Sequence, residues 1–295
     1  IALPLYLFGL LLLIAVALFG EISHGARRWL NVGVGRIQPS ELMKIAVPMM
    51  VAWYFAKREA SLRWSDYLVG ALLVLVPVGL VMKQPDLGTA LLILASGFYV
   101  LFLAGLSWKI LVGGAVSAAV MAPIFWSLLH DYQRKRIEIL LDPSQDPLGA
   151  GYHTIQAGIA LGSGGFAGKG WLNGTQSQLD FIPERTTDFI FAVFGEEFGL
   201  LGNVLLIIMF GLLISRGLVI ASQAGNTFTR LLAGSITLTF FTYVFVNIGM
   251  VSGILPVVGV PLPFISYGGT SLVTVLLGFG ILMSIHSHKT LMSTS

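Results

Sequence analysis

The chain contains no cysteine, and charged residues make up only 11% of it. Without thiols, no disulfide can join its loops and no thiolate metal site can form. The seventeen Lys and Arg exceed the fourteen Asp and Glu by three, but they do not form the dense basic tracts of nucleic-acid-binding proteins. We therefore expect no nucleic-acid partner and assign the basic excess to loops beside lipid headgroups.

Uncharged apolar runs dominate what is present, with 56% hydrophobic residues and a mean hydropathy of +0.86. A run of about 20 apolar residues can cross the hydrocarbon core as a helix, so the sequence predicts an all-α polytopic integral membrane protein. Three prolines in ILPVVGVPLPF should divide the long uncharged run at 231–285 into two helices. The eight predicted spans are residues 1–20, 40–56, 67–82, 87–106, 110–129, 189–215, 231–252 and 264–285.

One connection is far longer than the others, because residues 130–188 leave the membrane for nearly sixty residues. A loop of this length is typical of a functional segment rather than of a simple connector. Its glycine-rich passage GSGGFAGKG is not a phosphate-binding P-loop, since Ser163 and Gly170 occupy positions that need Gly and Ser or Thr. The sequence also lacks H-E-x-x-H and G-x-S-x-G motifs.

The stretch PERTTDFIFAVFGEEFG gathers Glu184, Arg185, Asp188, Glu196 and Glu197 where the long loop re-enters the membrane. Burial there should raise the pKa of Asp188, while the adjacent arginine lowers it. A carboxylate in this position suits a general base. The structural alternative is that Asp188 caps the following helix, and that the two later glutamates partner buried backbone or arginine groups.

Charged residues at the start of the second span form a second group. Glu41 and Lys44 are three residues apart on one helix face, where they can pair with each other or serve a ligand. Ser40 is the predicted N-cap of this helix.

Two flanking loops also carry polar candidates. HGARRWLNVGVGRIQ holds Trp29 and Arg36, which can bind an anionic headgroup or anchor helices at the interface. Asp86 in KQPDLGT is expected to cap the helix beginning at Leu87.

Several segments in order resemble one family. QPSELMK, QPDLGT, DPLGAGYHTIQ, GSGGFAGKGWLNGTQSQLDFIPERTTDFIFAVFGEEFG and NIGMVSGILPVVGVPLPFISYGG look like the SEDS proteins (shape, elongation, division and sporulation), and GKGWLNGTQSQLDFIPER resembles members from the rod-elongation machinery. The resemblance implies a GT-C-like bundle of ten helices. The chain, which begins in an apolar segment without a Met, is then expected to be one membrane domain over residues 1–295 that is incomplete at its N-terminus.

The resemblance implies a bacterial peptidoglycan glycosyltransferase that polymerises lipid II into β-1,4 glycan strands during cell elongation and releases undecaprenyl pyrophosphate. An α-linked donor and a β-linked product imply one inverting displacement. The proposed catalytic aspartate of the family maps onto Asp188, whereas Thr186 stands where relatives commonly carry His. The resemblance and the patterns above assign substrate binding to Trp29, Arg36, Glu41, Lys44, Asp86, Lys169, Glu184, Arg185, Ser266 and Tyr267.

No organic cofactor is expected; a divalent cation, Mg or Mn, at the departing pyrophosphate is an alternative in which Asp188 is a metal ligand. The resemblance further implies the inner membrane, with the long loop and active site in the periplasm, whereas basic-residue counts in the loops do not decide the orientation. It implies a class B penicillin-binding protein and the elongation machinery as partners. Two other functions stay open: a lipid II flippase and a noncatalytic scaffold for the penicillin-binding protein.

Overall fold

A computed structural model of the chain describes residues 1–23, 26–31, 36–59, 62–129, 131–146, 149–179, 181–182 and 184–288. Within these residues the fold is predominantly helical. The helices are α1 (Ala2–Phe19), α2 (Pro39–Ala56), α3 (Trp64–Met82), α4 (Leu87–Leu103), α5 (Trp108–Leu128), α6 (Asp131–Leu141), α7 (Ala150–Ser163), α8 (Thr175–Gln178), α9 (Ile190–Ser222), α10 (Thr227–Val251) and α11 (Gly269–Ser287). The strands are β1 (Glu21–Ser23), β2 (Ala26–Asn31) and β3 (Arg36–Ile37).

Every predicted span corresponds to a helix, namely α1 to α5 and α9 to α11. In the described part of the chain, five of them are long and apolar enough to cross a membrane: α1, α3, α9, α10 and α11. Helices α4 and α5 add shorter apolar segments, and α2 carries the charged pair Glu41 and Lys44. The chain is a multi-pass membrane protein.

The proline-rich break at the C-terminal side is confirmed, since α10 ends at Val251 and α11 begins at Gly269. The last span therefore starts five residues later than the predicted residue 264. Phe264 has a left-handed backbone, with φ of 65°, and the surrounding VPLPFISYG segment is not helical. Hydropathy alone did not reveal this, because the segment is as apolar as the helix that follows it.

One compact unit comprises Ile1–Leu106, Leu212–Thr242 and Gly268–Ser295. Its core is built where α1 to α4 pack together, and Leu231 and Leu232 of α10 join it. The largest fully buried side chains of this core include Phe55, Leu13, Met43 and Ile93. Burying such side chains away from lipid and water leaves a rigid frame for the charged pair on α2.

The predicted interface loop between α1 and α2 contains a small β-ribbon. Strand β1 pairs antiparallel with β2, and β2 pairs antiparallel with β3. Trp29 lies in β2 opposite Glu21. Its short strands have little hydrophobic periodicity to mark them in the sequence.

A second compact unit comprises Ser107–Gly211 and Tyr243–Tyr267. In it, the glycine-rich loop at residues 164–170 lies directly on α9, where that helix is interrupted at Gly199 (φ 64°, ψ −161°). The two segments meet backbone to backbone, which explains the need for glycine on both sides. Hydrogen bonds of 2.9–3.1 Å run from the amides of Lys169, Gly170, Leu200 and Leu201 to the carbonyls of Glu196, Glu197, Gly165 and Phe166, respectively.

Candidate functional site

The turn at residues 184–189 delivers the chain into α9 and belongs to the second unit. Glu184 has a left-handed backbone (φ 52°), and its carbonyl accepts hydrogen bonds from the amides of Thr187 (3.1 Å) and Phe189 (3.2 Å). The Thr187 hydroxyl also donates to Glu184 Oε2 at 2.8 Å. These local hydrogen bonds fold the segment into a tight turn, in which Asp188 is the residue before the last one, Phe189.

The end of α10 holds this turn in place. Asn247, which is fully buried, donates through Nδ2 to the carbonyl of Asp188 at 2.9 Å and to that of Val260 at 2.8 Å. One side chain thus ties the backbone of Asp188 to the proline-rich segment. A buried amide that satisfies two carbonyls restrains both strongly, because breaking either bond leaves a polar group unpaired.

The proline-rich segment also forms hydrogen bonds with the carbonyl groups of Thr186 and Thr187, the two residues before Asp188 in the same turn. The Ser266 hydroxyl donates to Thr187 O at 2.6 Å and accepts the amide of Leu262 at 2.7 Å. The amide of Tyr267 donates to Thr186 O at 2.8 Å. Both residues that the sequence nominated here therefore fix the turn, Ser266 through its side chain and Tyr267 through its backbone; their part in substrate binding stays a prediction.

The Asp188 side chain itself is half-buried. Burial and the nearby Glu184 carboxylate raise its pKa from 3.8 to about 6, against the opposing effect of the Arg136 guanidinium. Among the described residues, none donates a hydrogen bond to its carboxylate. The capping alternative is thus not supported, because α9 begins only at Ile190 and no amide reaches the carboxylate.

Two residues near Asp188 were not singled out from the sequence. Arg136 of α6 donates through Nη1 to Val257 O at 2.8 Å, and this places its charge beside the carboxylate. His153 of α7 stacks on Phe189, with ring centroids 5.9 Å apart and planes at 17°. Burial lowers the pKa of His153, which favours its neutral form. The RKR cluster in the long loop was the one available signal for Arg136.

Lys169, nominated for substrate binding, forms an internal ion pair with Glu196, with Nζ 2.7 Å from Oε1. Glu196 is fully buried and also accepts the amides of Gln176 (3.0 Å) and Ser177 (3.2 Å) at the start of α8. The expected partnership of this glutamate with backbone groups is confirmed, and its cation is a lysine. Arg185 donates from Nη1 to the carbonyl of Ser177.

The charged pair of the first unit has the predicted local geometry. Lys44 Nζ lies 2.6 Å from Glu41 Oε1, and both residues are buried. Glu41 Oε2 is buried as well and has no hydrogen-bond partner in the described part of the chain. The N-cap prediction for Ser40 is wrong, because α2 begins at Pro39 and has Gln38 at the capping position. Proline suits the first helical position since that residue needs no amide donor.

Asp86 caps α4, as predicted, by accepting the amide of Thr89 at 3.2 Å. Its other oxygen accepts Gln38 Nε2 at 3.1 Å and lies 4.0 Å from Arg28 Nε. Trp29 follows in β2 and is half-buried. Arg36 lies in β3, and its side chain is outside the described residues.

The FtsW/RodA/SpoVE family model, described as cell cycle protein, matches residues 1–291. The chain belongs to this family. The Escherichia coli K12 peptidoglycan glycosyltransferase MrdB is 56% identical over 292 residues, which cover 99% of this chain and 79% of that protein. The Helicobacter pylori J99 MrdB is 39% identical and covers 95% and 74%, respectively.

Solved structures agree with this membership. The crystal structure of Thermus thermophilus rod shape determining protein RodA matches with a TM-score of 0.71 and 32% identity, and covers 98% of this chain and 78% of that one. A chain from a peptidoglycan synthase complex that coordinates polymerization and crosslinking matches with a TM-score of 0.84 and 36% identity, with coverage of 98% and 82%. The expected helical membrane architecture of the family is therefore confirmed.

In the described part of the chain, no group of three or more His, Cys, Asp or Glu residues is arranged so that it could hold a metal ion. Asp188 and Glu184 are nevertheless close enough for their charges to interact. Magnesium is commonly held by one or two carboxylates together with substrate phosphates. These two carboxylates are donors of the type that such a cation uses.

Proposed function

We propose that this chain is a peptidoglycan glycosyltransferase that polymerises lipid II, with Asp188 as its general base. Its 56% identity to E. coli MrdB supports the activity. The observation that carries the assignment of Asp188 is its environment: a half-buried carboxylate with a pKa raised to about 6, on a turn whose carbonyls are hydrogen-bonded to the proline-rich segment and Asn247. A base with a pKa just below neutrality is largely ionised at physiological pH and still basic enough to take a proton.

In the proposed step, Asp188 accepts the proton of the acceptor sugar's 4-hydroxyl. The freed oxygen attacks the anomeric carbon of the donor sugar from the face opposite its pyrophosphate. The new β-1,4 bond forms as the α bond to the pyrophosphate oxygen breaks, so undecaprenyl pyrophosphate leaves with the bonding electrons. Asp188 then returns its proton to solvent. One displacement inverts the anomeric centre, as an α-linked donor and a β-linked product require.

The departing pyrophosphate needs positive charge. Arg185, on the turn that carries Asp188, is proposed for this role, and Lys44 and Arg36 stay phosphate-binding predictions from the sequence. Asp188 and Glu184 would hold a divalent cation if one is bound with the substrate, and that cation would supply further charge stabilisation at the pyrophosphate. Lys169, Ser266 and Tyr267 are the further substrate contacts that we propose in the second unit. Trp29, Glu41 and Asp86 of the first unit stay predictions from the sequence, and Glu41 has a buried oxygen without a partner among the described residues.

We place the enzyme in the bacterial inner membrane with the turn at 184–189 at the periplasmic face, where lipid II is polymerised. A class B penicillin-binding protein of the elongation machinery is the proposed partner. The likeness to a chain of a peptidoglycan synthase complex, which coordinates polymerization and crosslinking, supports this assignment. The long loop between α5 and α9 supplies folded surface outside the membrane for such contacts.

The test is polymerisation of labelled lipid II by the protein with its penicillin-binding partner, comparing wild type with Asp188→Asn. Loss of a general base should lower the rate by about a hundredfold or more. Glu138→Gln is the matched control, because this acid lies in the same long loop on an exposed position of α6 and should retain activity. Equal rates for wild type and Asp188→Asn would refute the assignment. Translocation of lipid II without polymer from any variant would favour the flippase.

A further inference from the structure

A cavity of about 540 Å³ lies in the second unit beside the turn that carries Asp188, since Arg185 and Thr186 of that turn line it. One wall is a single face of the first turns of α9. Residues separated by three or four positions share a helix face, so this wall is continuous. The face consists of Ile190, Val193, Phe194, Glu197 and Phe198.

The rest of the lining combines flat apolar groups with polar ones. Trp171, whose ring lies 5.9 Å from that of Phe198, comes from the glycine-rich region of the long loop. Ser177 and Gln178 of α8 also line the cavity. A volume of this size is ordinary for a small-molecule site, in which a few polar groups orient a ligand between apolar walls.

Glu197 is the unusual member of this lining. It is 5% exposed, and none of the described residues donates a hydrogen bond to its carboxylate. Its neighbour Glu196, which is fully buried, has a lysine and two backbone amides as partners. Because its side chain lines the cavity, the Glu197 carboxylate can accept hydrogen bonds from a ligand bound there.

The chemistry of the lining selects among the components of a lipid-linked glycan. A polyprenyl tail offers no hydrogen-bond donor, and a phosphate would meet the Glu197 carboxylate as a like charge. A sugar offers hydroxyl and acetamido N–H donors together with a flat C–H face for an aromatic ring such as Trp171. Ser177 and Gln178 can form hydrogen bonds with its remaining oxygens.

We propose that this cavity binds one N-acetylated sugar unit of the glycan, with Glu197 accepting hydrogen bonds from its hydroxyl or amide groups and Trp171 contacting its apolar face. The inference rests on the proposed glycosyltransferase function and adds a sugar site to it. Glu197 is a substrate-binding residue in this scheme and takes no proton from the reacting hydroxyl. The site would keep the strand next to the catalytic turn between successive additions.

Direct binding tests the site apart from catalysis. The probe is an uncross-linked peptidoglycan tetrasaccharide without lipid, titrated into the complete protein in nanodiscs by calorimetry. Glu197→Leu should weaken its binding by about tenfold, the usual range for losing a hydrogen bond to a charged group. Glu197→Gln, which keeps a carbonyl acceptor, should lose less. The unfolding temperature of Glu197→Leu should equal or exceed that of wild type, since the variant removes no hydrogen bond between the Glu197 side chain and the described residues.

Glu196→Leu is the matched comparison, because it removes a neighbouring buried acid that does have partners, and it should lower the unfolding temperature. The proposal is overturned if the tetrasaccharide does not bind wild type, if Glu197→Leu binds it unchanged, or if Glu197→Leu is destabilised as much as Glu196→Leu. If undecaprenyl phosphate binds wild type and the tetrasaccharide does not, the cavity is assigned to the lipid instead. Polymerisation by Asp188→Asn reports separately on the proposed function, because the binding assay requires no turnover.

Discussion

At the scale of single residues, the pKa of Asp188 is set first by burial and then by two neighbours of opposite charge. Glu184 raises the pKa of Asp188 and Arg136 lowers it, while burial has the largest effect. The carboxylate is thus neither an exposed surface acid nor one neutralised by a close ion pair. Such an environment gives a base that is ionised near neutrality and whose carboxylate accepts no hydrogen bond from the described residues.

The rate of polymerisation should rise with pH through about 6, because the base works only when ionised. Glu184→Gln removes a negative charge, which lowers the pKa of Asp188 and shifts this rise to lower pH. Arg136→Gln removes a positive charge and shifts it to higher pH. The measurement is the pH profile of kcat/KM for lipid II.

Lys135→Gln is the control for this pair. Lys135 is the neighbour of Arg136 on α6 but pairs with Asp146, at 3.2 Å, so its loss should leave the profile in place. Unfolding temperatures of all three variants separate misfolding from titration, which matters for Arg136 because its side chain also bonds Val257 O. Shifts of Glu184→Gln and Arg136→Gln in the same direction would contradict this account.

At the scale of elements, the interruption of α9 determines how the long loop is attached. The glycine-rich loop at residues 164–170 takes the amides of Leu200 and Leu201 that a continuous helix would keep for itself. Gly199 supplies the backbone conformation that permits this exchange. The buried pair of Lys169 and Glu196 then joins the same loop to the helix.

Gly199→Ala should therefore destabilise the protein by about 1–3 kcal/mol, because its φ of 64° and ψ of −161° lie in a region that only glycine adopts readily. A Cβ there would also collide with the amide nitrogen of Gly168. Gly211→Ala is the control in the same helix: its Cβ meets no atom within 4 Å, and alanine is about 1 kcal/mol better than glycine in a helix. Thermal unfolding of the two variants measures the difference, and equal stabilities would refute the structural role of the break.

At the scale of the whole molecule, the helices determine which segments share a side of the membrane. Helix α9 is long and apolar enough to cross a membrane. A single crossing by α9 predicts that the long loop before it and the α9–α10 connection after it are exposed on opposite sides. The absence of cysteine makes this directly measurable, because any introduced thiol is unique.

Ser144→Cys, in the long loop, should react with a membrane-impermeant maleimide added to the periplasmic side. Ser222→Cys, at the end of α9, should react only after the membrane is permeabilised. Both serines are exposed and differ from cysteine by a single atom, so each variant is a control for the other. Labelling of both from the same side would contradict a single crossing by α9, and the reverse pattern would contradict the proposed orientation.

The sequence by itself determined the features that depend on neighbouring residues. Hydropathy located the spans, three prolines predicted the break after α10, and spacing on one helix face predicted the pair of Glu41 and Lys44. Asp86 was recognised as a helix cap for the same reason. Each depends on atoms within a few positions along the chain, so residue type and order carry the information. The error at Ser40 has this local character too, since Pro39 is the stronger signal for a first helical residue.

Tertiary structure alone decided how the nominated aspartate is supported. Asn247 lies 59 positions from Asp188 and Ser266 lies 79 positions from Thr187, and neither belongs to a local pattern that marks it as a partner. Arg136 acquires its effect on the pKa of Asp188 only because α6 folds back beside the turn. Hydrogen bonds and charges act over a few ångströms whatever the separation along the chain. The sequence could therefore nominate the carboxylate, but only folding decides which groups hold and charge it.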